Sequence, residues 1–242
     1  MTQTMIRSII LLPALLLVAV LTQLTVVAGP PLICHTIEIG DAKSLPWGSS
    51  AEWRAVKPNY DLNRLADETT ALLTPNMPIL VRMETLRRAT IYAVWSQYDR
   101  EVGLSAKNSQ VAEDLLGRLM SRVREAVGKK QEVALALFDA GYLMACYQQA
   151  SYRATKNADA QKALDAYAMV RKAAAHRGDS PEIEFAAALI GRSPEQPTYR
   201  GHLQKAVAGA QEGSLLARNL LKHFGQRGQS LADLRAQVAV AR

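Results

Sequence analysis

The chain is predicted to be all-α, and three observations carry that prediction. Apolar residues recur at helical offsets in segment after segment from Asp61 onward, and residues that cap and stop helices stand between those segments. The composition is 49% hydrophobic but only 6% aromatic, with alanine as the recurring small residue. Such chains pack helix on helix with close backbone approach, rather than building sheets from β-branched and aromatic side chains.

Residues 1–28 are a different kind of segment. Arg7 precedes an uncharged apolar run from Ile9 to Leu21, and Val26-Val27-Ala28 supplies the small and β-branched residues of a cleavage site. This is the layout of a secretory signal peptide. A membrane-spanning helix needs about 20 apolar residues, whereas this run contains Pro13 and gives way to Thr22, Gln23 and Thr25. The expected address is therefore outside the cytoplasm, periplasmic or secreted.

Residues 29–60 are expected to be irregular, because Pro30, Pro31, Pro46 and Pro58 with Gly40 and Gly48 punctuate them as turns. Thr36-Ile37-Glu38-Ile39 is their one alternating stretch and suits a short extended piece. Trp47 and Trp53 read as apolar anchors that pin the segment to the rest of the chain.

Residues 61–242 read as a helical domain. Leu62, Leu65, Ala66, Thr69, Leu72 and Leu73 stripe one helix face, and Thr74-Pro75 ends it. Asn76 and Pro78 open a second helix carrying Ile79, Met83, Leu86, Thr90 and Ala93. A third holds Ala112, Leu115, Leu116, Leu119, Val123 and Ala126 and closes at Gly128 with Lys129-Lys130. The fourth, from about Gln131 to Tyr152, is apolar over a wide arc and is expected to be central.

A fifth helix is expected near Asp159 to His176. Ser180-Pro181 opens a sixth with Ile183, Ala186, Ala187 and Ile190. Leu203, Ala206, Val207 and Ala210 mark a seventh. An eighth, with Ala217, Leu220, Leu221 and Phe224, is expected to stop at Gly225 in the left-handed conformation. Ser230 and Asp233 resemble a capping box for a last short helix. Short connections imply stacked antiparallel helical hairpins, arranged either as a degenerate tetratricopeptide-like solenoid or as an irregular bundle.

Pro30-Pro31-Leu32-Ile33-Cys34-His35 and the following Glu38-Ile39-Gly40-Asp41-Ala42-Lys43-Ser44-Leu45-Pro46-Trp47 resemble the start of mature chains in a group of uncharacterised exported bacterial helical proteins. Leu72-Leu73-Thr74-Pro75, Val81-Arg82-Met83-Glu84-Thr85-Leu86-Arg87-Arg88-Ala89 and Glu182-Ile183-Glu184-Phe185-Ala186-Ala187-Ala188 read the same way. The resemblance implies export and helical architecture, and it implies no activity.

No motif identifies a reaction. G-x-S-x-G, H-E-x-x-H and phosphate-cradling glycine loops are missing from the sequence, and no catalytic, cofactor-binding or metal-ligating residue is singled out. Cys34-His35 has two good ligand types, but His176, His202 and His223 show no ligand spacing relative to it. Haem attachment would need a cysteine where Pro31 stands, and lipidation of Cys34 would need a small residue where Ile33 stands. Cys34 and Cys146 are a candidate disulfide in an oxidising compartment, the other reading being two separate thiols.

Arg177-Gly178-Asp179-Ser180-Pro181 matches an adhesion sequence, yet each residue has a local role in stopping one helix and starting the next. Glu182 and Glu184 fall in a first turn, where the helix dipole favours acids. Arg82, Arg87 and Arg88 with Trp95 have the composition of a nucleic-acid face, but Glu84 and Arg88 four residues apart read better as an ion pair on a solvated side.

The net charge of +7 is concentrated toward the C-terminus, where Arg192, Arg200, Lys205, Arg218, Lys222, Arg227, Arg235 and Arg242 face only Glu195, Glu212 and Asp233. The expected function is an exported binding or scaffold protein with a protein or peptide partner, because helical arrays present concave surfaces. The alternatives are an enzyme acting on cell-envelope material and an envelope protein docking on anionic polymer through its basic C-terminal helices. No cofactor and no nucleic acid are expected. Membrane contact is expected only through the signal peptide or weak electrostatic docking.

Overall fold

Asp61 starts the helical part of the chain. Its carboxylate accepts from Asn63 N at 3.0 Å and caps a short 3-10 turn, Leu62–Arg64, that runs into helix α1, Leu65–Leu72. The computed structural model describes residues 32–48, 52–96, 106–150, 165–178, 180–191 and 198–240. The leader, Pro30, Pro31 and Asp179 lie outside them.

Pro78, extended at φ −60° and ψ 149°, leads into α2, Ile79–Trp95. Then come α3, Ala106–Lys129, and α4, Val133–Gln149. Between those two, Lys130 and Glu132 take φ of 54° and 52°, which side chains with a Cβ usually avoid, and the chain reverses within three residues. Gly128, expected to end α3, lies inside it.

Asp165 caps α5, Ala166–Arg177, accepting from Ala168 N at 2.9 Å. Asp165 itself is extended, so this helix begins later than the expected Asp159, and residues 159–164 lie outside the described part. Gly178, at φ 69°, ends α5, and Ser180 with Pro181 opens α6, Pro181–Ile190. The described residues of the adhesion-like string thus run from the last residue of α5 through the turn to the first residue of α6.

Three helices complete the series: α7, Thr198–Gly209; α8, Leu215–Phe224; and α9, Leu231–Val240. Ser214 Oγ accepts from Ala217 N to cap α8. Gly225 stops it in an extended conformation, φ −78° and ψ 164°, not in the left-handed one expected. The capping box before α9 forms, with Ser230 N donating to Asp233 Oδ2 at 3.0 Å and Asp233 N to Ser230 Oγ at 3.1 Å.

Among the described residues there are helices and no strands, so the fold is all-α. It is a bundle with two enclosed helices: α2 packs on α1, α3, α4 and α6, and α4 packs on α2, α3, α5 and α6. The remaining helices extend outward through α6 against α7 and α7 against α9. Small residues set the α4–α5 distance. A Cβ placed on Gly141 would stand 2.9 Å from Met169 Cβ and 3.0 Å from Ala166 O, so this crossing needs glycine.

The described residues from 32 to 60 form no helix or strand. Leu32, Ile33, Ile37, Ile39 and Leu45 nevertheless enter the core. A buried backbone without regular structure must find its hydrogen bonds elsewhere, and here helix side chains supply them. Glu84 accepts from Ile37 N at 3.0 Å; Arg87 donates to Ile33 O and Trp53 O, both at 3.0 Å; Arg88 donates to Leu45 O at 2.7 Å. Tyr92 OH donates to Pro46 O at 2.6 Å and accepts from Lys57 N at 2.9 Å.

On α8, the Asn219 amide accepts from Glu38 N at 2.8 Å and donates to Glu38 O at 2.9 Å. Glu38 lies in the stretch expected to be extended, and the amide takes the place of a neighbouring strand. Trp47 and Trp53 do anchor the segment: Trp47 meets Tyr92 edge-on at 5.8 Å and Trp53 meets Trp95 at 5.1 Å.

Candidate functional site

Among the described residues three clusters of ionisable groups sit in or between the helices, and one of them holds a buried carboxylate oxygen without a hydrogen-bond partner on a residue that lines a cavity. The first is on α2. Glu84, Arg87 and Arg82 are each no more than 1% exposed, so the Glu84–Arg88 pair is real but does not lie on a solvated side. Arg87 grips Glu84 twice, Nε to Oε2 at 2.8 Å and Nη2 to Oε1 at 2.9 Å, and Arg88 Nε adds a third bond to Oε1 at 2.8 Å. Burial pushes the Glu84 carboxyl up, but the hydrogen bonds and charges of Arg87 and Arg88 outweigh it and leave it below its ordinary value. Arg87 and Arg88 also lie over the Trp47 ring at 5.2 and 5.4 Å. This cluster is a clamp for the N-terminal segment, and it buries Arg87 and most of Arg88.

The second cluster joins α5, α6 and α7. Tyr167 OH and His202 Nε2 are 2.8 Å apart, His202 Nδ1 bonds to Glu184 Oε2, and Lys205 Nζ donates to Glu184 Oε1 at 3.2 Å. A carboxylate can only accept, so the neutral imidazole carries its proton on Nδ1 and Nε2 accepts from the phenol. Glu184 is therefore more than a first-turn acid.

The third cluster centres on Asp139. It is the one charged residue in the α4 sequence, flanked by Phe138, Ala140 and Gly141. Arg82 Nη1 donates to its Oδ2 at 2.6 Å, while Oδ1 is buried without a hydrogen-bond partner. Burial pushes the Asp139 carboxyl up to about 6, with the charge and hydrogen bond of Arg82 offsetting part of the effect. Arg82 also donates from Nε to Met77 O at 3.1 Å and from Nη2 to Thr74 O. Arg122 of α3 donates to Thr70 O at 2.8 Å. Arg122 thus satisfies a carbonyl in the last turn of α1, and Arg82 satisfies two in the connection from α1 to α2.

Asp139, Arg82 and Arg122 line a cavity of about 350 Å³ between α1, α2, α3 and α4. Leu73, Pro75, Ala126, Leu135 and Ala136 give it apolar walls, and Lys129, Gln131 and Glu132 stand at the strained α3–α4 turn on its border. Ligand sites are commonly clefts of this size, mostly apolar with a few placed polar groups. A second cavity, of about 410 Å³, lies between the N-terminal segment, the start of α2 and the α7–α8 connection, lined by Ile39, Pro78, Ile79, Leu80, Glu182 and Leu215 among others.

The sequence candidates fall as follows. Cys34 is half-buried in the N-terminal segment and Cys146 is buried on α4, and the two are not bonded to each other in this structure. Burial raises both thiols above their ordinary value, and the charge of Arg87 opposes it at each. His35 meets His223 edge-on at 5.7 Å. Among the described residues no group of three or more His, Cys, Asp or Glu is arranged to hold a metal ion. Several basic C-terminal residues are engaged internally: Arg218 with Glu38 at 3.1 Å, Lys222 with Thr36 Oγ1 at 2.8 Å, and Arg235 with Val207 O at 3.2 Å.

Asp139 went unnoticed in the sequence, although a lone acid within an otherwise uncharged, largely apolar helix was a usable signal. Comparison with protein-family models, curated proteins and solved structures returns no match.

Proposed function

We propose that this chain is an exported helical binding protein that takes a small molecule into the cavity between α1, α2, α3 and α4. The observation that carries the reading is Asp139 Oδ1, a buried carboxylate oxygen without a partner beside a cavity of about 350 Å³. Leaving such an atom unpaired costs about 1–3 kcal/mol or more, and a bound donor removes that cost. Export rests on the leader composition and on the resemblance to exported chains. Among the described residues no helix is long and apolar enough to cross a membrane.

The test is native mass spectrometry of protein purified from the exported fraction, beside the variant Ala136→Trp, whose indole fills the cavity. The expected result is a small-molecule adduct on the wild type that is absent from the variant, and a mature chain beginning near Gly29. A wild type without adduct, whose melting temperature no small-molecule extract raises, overturns the binding reading. Saturating ligand at 100 times its Kd would add about 2.7 kcal/mol of stability.

A further inference from the structure

We propose that the ligand of the Asp139 cavity is a primary amine with an apolar body, whose ammonium group supplies the donor that Asp139 Oδ1 lacks. This rests on the binding reading above and adds the chemical class of the ligand. The polar groups around the cavity divide into those already directed at protein partners and those that are not. Arg82 bonds Asp139 Oδ2, Met77 O and Thr74 O. Arg122 bonds Thr70 O, and Lys129 Nζ donates to Glu125 Oε1 at 2.6 Å.

These cations keep N–H groups that no bond uses, but each already serves a carbonyl or carboxylate, whereas the lining's one buried polar atom that makes no hydrogen bond is an acceptor. That acceptor is Asp139 Oδ1, a buried oxygen on a lining residue, so what the site lacks is a donor. The lining charges also balance, with Arg82, Arg122 and Lys129 against Asp139, Glu125 and Glu132, so the cavity as a whole does not repel a cation.

A charged donor on a buried carboxylate oxygen is stronger than a neutral one, which favours an ammonium over a hydroxyl. The exposed Glu132 carboxylate on the cavity border adds attraction for the same sign of charge. Leu73, Ala126, Leu135 and Ala136 leave apolar surface for the rest of the molecule. At about 350 Å³ there is room for a compact aliphatic or single-ring body.

The probes are phenethylamine and its isosteric alcohol, 2-phenylethanol, titrated calorimetrically into the full mature protein at neutral pH. The expected result is saturable binding of the amine, with the alcohol about tenfold or more weaker. Ala136→Trp is expected to abolish amine binding, and Asp139→Asn to weaken it by at least about tenfold. Where Asp139→Asn does not fold, the amine-to-alcohol ratio on the wild type decides.

Equal affinity for the two probes overturns the proposal, as does amine binding that Asp139→Asn leaves unchanged. If neither probe binds while the wild type still carries an adduct that Ala136→Trp lacks, the ligand class is wrong and the binding reading stands. If that adduct is also missing, the binding reading has failed as well.

Discussion

Glu84 and Arg87 face each other across one turn of α2 as a doubly bonded pair, and each holds backbone of the N-terminal segment: Ile37 N on the carboxylate, Ile33 O and Trp53 O on the guanidinium. Both side chains are at most 1% exposed. Removing one member leaves the other charged and buried, which costs about 3–5 kcal/mol. Glu84→Gln is expected to lose stability of that order in urea denaturation and to expose residues 32–60 to protease before the helices. A variant as stable as the wild type would show that the pair is not the anchor.

Asp139 and Glu84 respond to pH in opposite senses. The Asp139 carboxyl is raised from 3.8 to about 6 by burial, so its burial cost is absent below pH about 4 and complete above about 6. Over that window the wild type should lose about 3 kcal/mol relative to Asp139→Asn. Glu84 is shifted down, so its contribution is present above its ordinary value of 4.5 and is lost as pH falls through its lowered value. Denaturation of both proteins at pH 4 and pH 7 checks this, and a pH-independent difference between them would contradict it.

Gly141→Ala sets helix propensity against packing. Alanine favours a helix interior by about 1 kcal/mol, but its methyl would lie 2.9 Å from Met169 Cβ and 3.0 Å from a backbone carbonyl. Overpacking costs about 1–3 kcal/mol, so a net loss is expected. A rise in melting temperature would show that α4 and α5 separate freely.

His202 is expected to hold its proton on Nδ1 when neutral, since Glu184 lies at that nitrogen and Tyr167 OH at the other. Nitrogen-15 chemical shifts of the imidazole read this directly. The tautomer with the proton on Nε2 would require the phenol to accept instead of donate.

In thiol labelling of the native protein, Cys34, half-buried, is expected to react slowly and Cys146, fully buried on α4, only in denaturant. Equal labelling rates would refute the placement of Cys146.

Helical periodicity made most of the helices legible, and the punctuation at Thr74-Pro75, Ser180-Pro181 and Ser230 to Asp233 placed their boundaries. The polar interior was not legible in the same way. Glu84 and Arg88 have the spacing of an ordinary surface pair, and their burial depends on the irregular segment lying over them, which no local pattern encodes. One clue was available: Arg82 falls on the opposite side of α2 from Glu84, Arg87 and Arg88, so the charges do not define one wet face. The His202 relay joins residues from three helices and has no sequence spacing to read.

The Asn219 amide that holds Glu38 lies 181 residues further along the chain. A polypeptide made from its N-terminus must therefore grow by another 181 residues before the partner for that stretch exists. Whatever keeps the backbone at Glu38 from wandering must act until α8 arrives, and removing α8 should loosen it.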